Sequence, residues 1–173
     1  MTQPHPRYRL VIAAAALALL TLSGCSALGP GESGPERNDV GEIVTAGKAD
    51  IFALQVGDCL NNVENGQTTN ADAVPCSTEH DLEVFSLHTI TADDFDPAIE
   101  GYPGDDRVAT LSRDVCTAGF TEFIGVPPEG AEHSYFVFSP TMESWMRMND
   151  RIIACTAHNN SGKTTGTLAG IGR

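Results

Sequence analysis

The chain predicts an α+β fold, an antiparallel sheet packed with one main helix and stapled by two disulfides. Three observations predict it. Short segments rich in β-branched and aromatic residues recur, and the connections between them are too short for a series of βαβ crossovers. Residues 106–125, "DRVATLSRDVCTAGFTEFIG", form the clearest helical pattern, with an apolar 3.6-residue period. Five cysteines are present, and once the first is set aside the remaining four are an even number in a chain that carries an export signal.

The export signal comes first. Residues 1–9 hold His5, Arg7 and Arg9 and no acid, residues 10–22 read "LVIAAAALALLTL", and Leu22-Ser23-Gly24-Cys25 follows. A positive segment, a short apolar core and small residues at a cleavage point make a secretory signal. The apolar run is shorter than the roughly 20 residues that span a bilayer comfortably. "LSGC" resembles the lipobox of bacterial lipoproteins. The resemblance implies that Cys25 is lipidated, that the peptide before it is removed, and that acyl chains anchor the mature chain. An uncleaved signal anchor would leave the domain on the same side of the membrane. Residues 1–24 are therefore expected to be a signal peptide and 25–48, rich in Gly, Pro, Ser and charge, a flexible tether. The folded domain is expected over 49–173.

Removing residues 1–24 takes away two arginines and no acid, so the formal charge of −13 becomes −15. Such acidity argues against nucleic acid as a partner and against electrostatic attraction to an anionic membrane surface.

Within the domain, "DIFALQVGDCL" reads as a strand and turn, and "ADAVPC" and "LEVFSLHTI" as further strands. In the last of these Leu82, Val84, Ser86 and His88 are expected on one face, and Glu83, Phe85, Leu87 and Thr89 on the other. An acidic loop, "TADDFDPAIEGYPGDD", leads to the helix, where Asp105 or Asp106 can cap the first turn. Val108, Leu111, Val115, Cys116, Gly119 and Phe123 are its expected core face. Gly125 can end it, with Pro127 and Pro128 beyond. "SYFVFSP" is a strand stopped by Pro140, "TMESWMRMND" a short helical connection with the lone Trp, "DRIIACTAHN" a strand and "GTLAGIG" a candidate terminal strand.

Cys59 and Cys76 flank a polar stretch, "NNVENGQTTNADAVP", that looks like a hairpin loop. A bridge across about 15–20 residues stabilises by roughly 3 kcal/mol in the chain-entropy model. Cys116 faces the core from the helix and Cys155 lies on a strand. The expected pairs are Cys59–Cys76 and Cys116–Cys155, since either other connectivity crosses the two halves of the domain.

These residues resemble the septum formation domain family of actinobacterial envelope proteins. The matching pieces are Gly57-Asp58-Cys59, Val74-Pro75-Cys76-Ser77, His80-Asp81, Glu83-Val84-Phe85, Tyr102-Pro103-Gly104, Cys116 with Phe120, Pro140, Trp145, Asn149-Asp150-Arg151, Cys155 and Thr165-Gly166-Thr167-Leu168. They run from about residue 54 to 170, and their order is more specific than any single piece. Asn149 stands where the family has Gly, and Asn tolerates the left-handed turn conformation. The resemblance implies a link to division septum formation and no agreed catalytic residues.

Candidate chemistry is sparse. Cys76 with His80 and Cys155 with His158 could make a Cys₂His₂ zinc site, but the cysteines lack close Cys-x₂₋₄-Cys spacing and export favours disulfides. No nucleophile elbow, zincin or Ser-x-x-Lys motif is present. His80 reads as a turn residue pairing with Glu79 or Asp81, and His88 as a satisfied strand residue. Asp93, Asp94, Asp96, Glu100, Asp105 and Asp106 read as a solvated loop without calcium-loop spacing. Tyr102, Tyr135 and Trp145 form a candidate interaction surface. The expected protein is a lipid-anchored, extracytoplasmic binding or scaffold module with no metal or cofactor, and with an envelope or division protein as partner. The alternative is a small envelope enzyme or accessory subunit using His80 or His158 with a carboxylate.

Overall fold

Turn residues and apolar periodicity place the elements. The computed structural model describes residues 33–63, 69–95 and 101–172; the expected signal peptide and Cys25 lie outside them. Along these residues the order is β1 (Glu36–Arg37), β2 (Ile43–Thr45), β3 (Gly47–Asp50), β4 (Cys59–Asn61), β5 (Asn70–Val74), β6 (Leu82–Thr89), α1 (Asp105–Ile124), β7 (His133–Phe138), α2 (Met142–Met148) and β8 (Ile152–Asn159). Six strands make one sheet in the order β3-β5-β4-β6-β8-β7. Every neighbouring pair in it is antiparallel. The α+β fold is as expected, with α1 as its main helix.

α1 starts after Gly104, whose φ of 98° takes the chain through a bend open to glycine, and ends at Gly125 at φ 100°. Asp105 and Asp106 occupy the first turn rather than the cap position, at the positive end of the helix dipole. Its buried stripe is Val108, Ser112, Cys116, Phe120 and Ile124. Leu111, Val115 and Phe123, expected at the centre, flank it partly buried. The helix packs along an i, i+4 row, and polar Ser112 in that row hid it from a search for apolar residues. At Gly119 an added Cβ would lie 3.1 Å from the Phe85 ring, so glycine permits the close approach of helix to sheet.

β6 departs from strict alternation. Its pairing with β8 shifts register between Val84 and Ser86. Val84 stays in the core that also holds Leu60, Leu82 and Phe138, while Phe85 and Ser86 both lie under Gly119 of α1. The expected two-face assignment therefore fails past Val84, because a bulge consumes one extra residue. Phe85 joins Phe120, Ile153, Cys155 and Leu168 in a second core on the helix side.

Residues 33–48, expected in the tether, are part of the compact unit Glu32–Arg173. They form the β1–β2 hairpin and the first two residues of β3. Ile43 of the hairpin is buried in the first core, and Arg37 is tied to Asp58. Buried Ile43, the Arg37–Asp58 and Lys48–Asp72 ion pairs and the pairing of β3 with β5 hold the segment, a pattern that composition does not reveal. "GTLAGIG" forms turns rather than a strand. The bend at Gly166, φ 85°, breaks extension there.

Candidate functional site

The turn before β4 sets up one corner of the sheet. Gly57, at φ 92°, donates its N–H to the Val84 carbonyl at 2.7 Å. Asp58 is 2% exposed and accepts from Arg37 Nη1 at 2.5 Å, Arg37 Nη2 at 2.8 Å and the Gln55 N–H at 2.8 Å. This two-pronged hydrogen bond holds the Arg37 guanidinium protonated beyond its already high range. Cys59 then bonds to Cys76, with Cα atoms 5.2 Å apart, and Cys116 to Cys155 at 5.5 Å. Both expected disulfides are present.

His80 is fully buried, which corrects its reading as a turn residue paired with a neighbouring acid. Asp81 instead receives Lys163 Nζ at 2.7 Å, and Glu79 is exposed. The His80 backbone bridges Thr164, and its Nδ1 lies 2.9 Å from the Thr78 carbonyl oxygen. A carbonyl only accepts, so Nδ1 carries the proton of that bond. Nε2 is buried with no hydrogen-bond partner among the described residues.

Glu83 lies directly across from Cys59 in the β4–β6 ladder and is 3% exposed. Its carboxylate accepts from Thr167 Oγ1 at 2.6 Å and from the Leu168 N–H at 2.7 Å. The Cys59 sulfur, a His80 ring nitrogen and a Glu83 oxygen all lie within 4.8 Å of one another. Sequence reasoning missed Glu83. The signal was an acid set between the apolar Leu82 and Val84 on a strand buried on both faces.

The second Cys–His pair weighed as a zinc site does not converge. Cys155 and His158 are three residues apart on β8, on opposite faces of the strand. His158 has a buried Nδ1 with no partner among the described residues, and burial followed by the nearby His133 keeps its pKa below the usual imidazole value. It lines a shallow cleft of about 380 Å³ together with Asp81, Val63, Leu82, Phe136 and Gly162. His133 is buried as well, and its Nε2 has no partner among the described residues.

His88 is satisfied as expected, with Nε2 3.0 Å from Asp94 Oδ1. Asp94 also accepts from the Thr91 N–H, which is the main cause holding its carboxyl below the usual range. The acidic loop is dispersed: Asp93 is exposed, Asp105 accepts from Tyr102, and Asp96 and Glu100 lie outside the described residues.

The three aromatic candidates pack against the core on the helix side, and Trp145, expected in an interaction surface, is buried. Tyr102 and Tyr135 are partly buried against the same core. Tyr102 meets Trp145 edge-on, with ring centroids 5.7 Å apart, and its hydroxyl donates to Asp105 at 2.6 Å. Burial, then that hydrogen bond, pushes the Tyr102 phenol up to about 12. The Tyr135 hydroxyl is spent on Thr117 Oγ1 at 2.9 Å. Arg151 stacks 3.5 Å over the Trp145 ring and donates to the Trp145 carbonyl. Asn149, at φ 54°, ends α2, and Asp150 accepts from Ser144 Oγ at 2.8 Å and from the Ile152 N–H. Asn149 thus takes the left-handed conformation for which Gly would serve.

A model of the septum formation family matches residues 25–171. The chain belongs to that family. No curated protein and no solved structure matches it. The septum formation motifs now have places in the fold: Asp58 holds the N-terminal hairpin, Tyr102 and Asn149-Asp150-Arg151 enclose Trp145, and Thr167-Leu168 cap Glu83.

Proposed function

We propose that this chain is a lipid-anchored, extracytoplasmic binding or scaffold module of the cell envelope that takes part in division septum formation without catalysing a reaction. Family membership supports the division-related role. The export segment and "LSGC" support anchoring through Cys25. One observation carries the non-enzymatic reading. Among the polar side chains of the family-matching pieces, Asp58, Glu83, Tyr102, Asp150 and Arg151 are engaged with other residues of the same chain. What such a signature preserves is a shape, and a shape is what a binding module presents.

Localisation and crosslinking test this reading. Crosslinking in intact cells should recover division or wall-synthesis proteins, with the chain enriched at septa. Even peripheral staining with an unrelated catch would overturn it. Cys25→Ser should move the chain out of the membrane fraction, and retention there with the signal removed would overturn the anchor.

A second reading, an envelope enzyme or accessory subunit, is favoured by His158 and Asp81 lining one cleft. His80, the other candidate, has no exposed surface from which to meet a substrate. His158→Ala separates the two readings. The binding reading expects crosslinks and division unchanged, whereas loss of function in a folded variant favours the cleft.

A further inference from the structure

The corner around Cys59 holds more chemistry than a staple needs. Cys59 sulfur, a ring nitrogen of His80 and a carboxylate oxygen of Glu83 converge within 4.8 Å, and all three residues are buried. Cys76 is bonded to Cys59, so its sulfur lies one bond from that cluster and, once freed, can turn toward it as a fourth ligand. We propose that, when the Cys59–Cys76 disulfide is reduced, Cys59, Cys76, His80 and Glu83 bind one zinc ion, so that the metal replaces the covalent bond at the same corner.

Four observations carry this. The donor set, two thiolates, an imidazole and a carboxylate, suits tetrahedral zinc. Bonds of about 2.0–2.3 Å would separate ligand atoms by roughly 3.3–3.8 Å, so the cluster needs to contract by about 1 Å. His80 Nε2 is buried with no partner among the described residues, an expensive arrangement that a metal bond would resolve. The outer shell is already built: Nδ1 donates to the Thr78 carbonyl, and Thr167 Oγ1 and the Leu168 N–H orient the Glu83 carboxylate. Among the described residues the other disulfide lacks such partners, since Cys116 and Cys155 lie among Phe85, Phe120, Ile153 and Leu168.

The exchange balances with an external dithiol as reductant. Cys76 is partly exposed while Cys59 is fully buried, so attack falls on Cys76. The thiolate bonds to Cys76 Sγ, the Cys59–Cys76 bond breaks, and its electron pair leaves on Cys59. The second thiol of the reductant then displaces Cys76, and the reductant departs as a disulfide. The two cysteines have gained two electrons and two protons. Zinc binding returns the two protons to solvent and leaves two thiolates.

The test uses the full chain in detergent, reduced under argon with a water-soluble phosphine that offers no competing thiol, and titrated with Co²⁺ as a spectroscopic stand-in. The reduced wild type should take up one ion with thiolate-to-cobalt charge transfer and intense tetrahedral d–d bands, and excess Zn²⁺ should displace it. Oxidised protein should show none of this. His80→Gln and Glu83→Gln should weaken cobalt at least tenfold. If either fails to fold, Thr167→Val, which removes a hydrogen bond from the Glu83 carboxylate, should still weaken it roughly tenfold. Where reduction loosens the fold, circular dichroism should recover on adding zinc. The proposal is overturned by a reduced chain without charge transfer, by binding equal in H80Q and E83Q, or by equal uptake in the oxidised chain.

Discussion

The two disulfides are chemically the same bond in opposite surroundings. Cys116–Cys155 joins α1 to β8 inside an apolar core, with both cysteines fully buried. Cys59–Cys76 closes a corner whose neighbours are His80 and Glu83, and Cys76 meets solvent. The difference teaches that a cysteine pair read from sequence specifies a staple, while the residues that fold beside it decide whether it can be anything more. One corner has room only for packing. The other has ligands, an outer shell and a route in.

Removing each bond probes that contrast most strongly. Replacing Cys116 and Cys155 by alanine should lower the unfolding free energy by about 4 kcal/mol, against about 3 kcal/mol for Cys59 and Cys76, from their separations of 39 and 17 residues. Urea unfolding of the oxidised proteins measures both. A larger loss at Cys59–Cys76 would mean that its polar neighbours, rather than loop length, set the value.

Next in size is Asp58→Asn, one residue before Cys59. It should cost about 2–3 kcal/mol, somewhat less than a fully buried pair because Arg37 keeps partial solvent contact. Limited proteolysis should then cut within residues 36–45, and an uncut hairpin would show that Ile43 and the strand pairing hold it without the ion pair. On the helix side, Arg151→Lys should cost about 1 kcal/mol by losing the flat stack on Trp145. A smaller loss in Trp145 fluorescence change or melting temperature would count against that stack.

Titration sharpens the comparison at lower amplitude. Tyr102 is raised in the fold to about 12, so its stabilisation is whole below the unfolded value near 10 and is lost as pH rises toward 12. Tyr102→Phe should flatten the alkaline stability curve over that window. His158 is shifted the other way. Its contribution is whole above the unfolded value of about 6.5 and is lost as pH falls through the depressed folded value. Stability of wild type should fall on mild acidification, and His158→Gln should lessen that fall. An unchanged slope would place the acid sensitivity elsewhere.

Much of the fold was legible. Both disulfides, the helix over α1 and the strands β5 to β8 follow from turn residues and periodicity, which are local signals, whereas Ile51–Ala53, expected in a strand, forms a 3-10 turn. The misses share a physical origin in long-range pairing. Arg37 folds back because Asp58, 21 residues on, needs a cation. Val84 and Ser86 leave strict alternation because β8 imposes a bulge. Trp145 is drawn into the core under α1, with Tyr102 and Tyr135 packed partly buried against it. His80 was noticed for its nearness to Cys76 in sequence. Its ligand company, Cys59 and Glu83, comes from the β4–β6 register, which no local pattern states.

The most direct measurement is stepwise reduction of the oxidised full chain with a water-soluble phosphine at graded concentration, with thiol alkylation and peptide mass mapping at each step. Cys76 and Cys59 should be labelled first while circular dichroism stays native, with Cys116 and Cys155 labelled only on unfolding, and Zn²⁺ should slow labelling of the first pair alone. Simultaneous labelling of all four cysteines, Cys116 and Cys155 opening first, or zinc protecting neither Cys59 nor Cys76, would contradict the account.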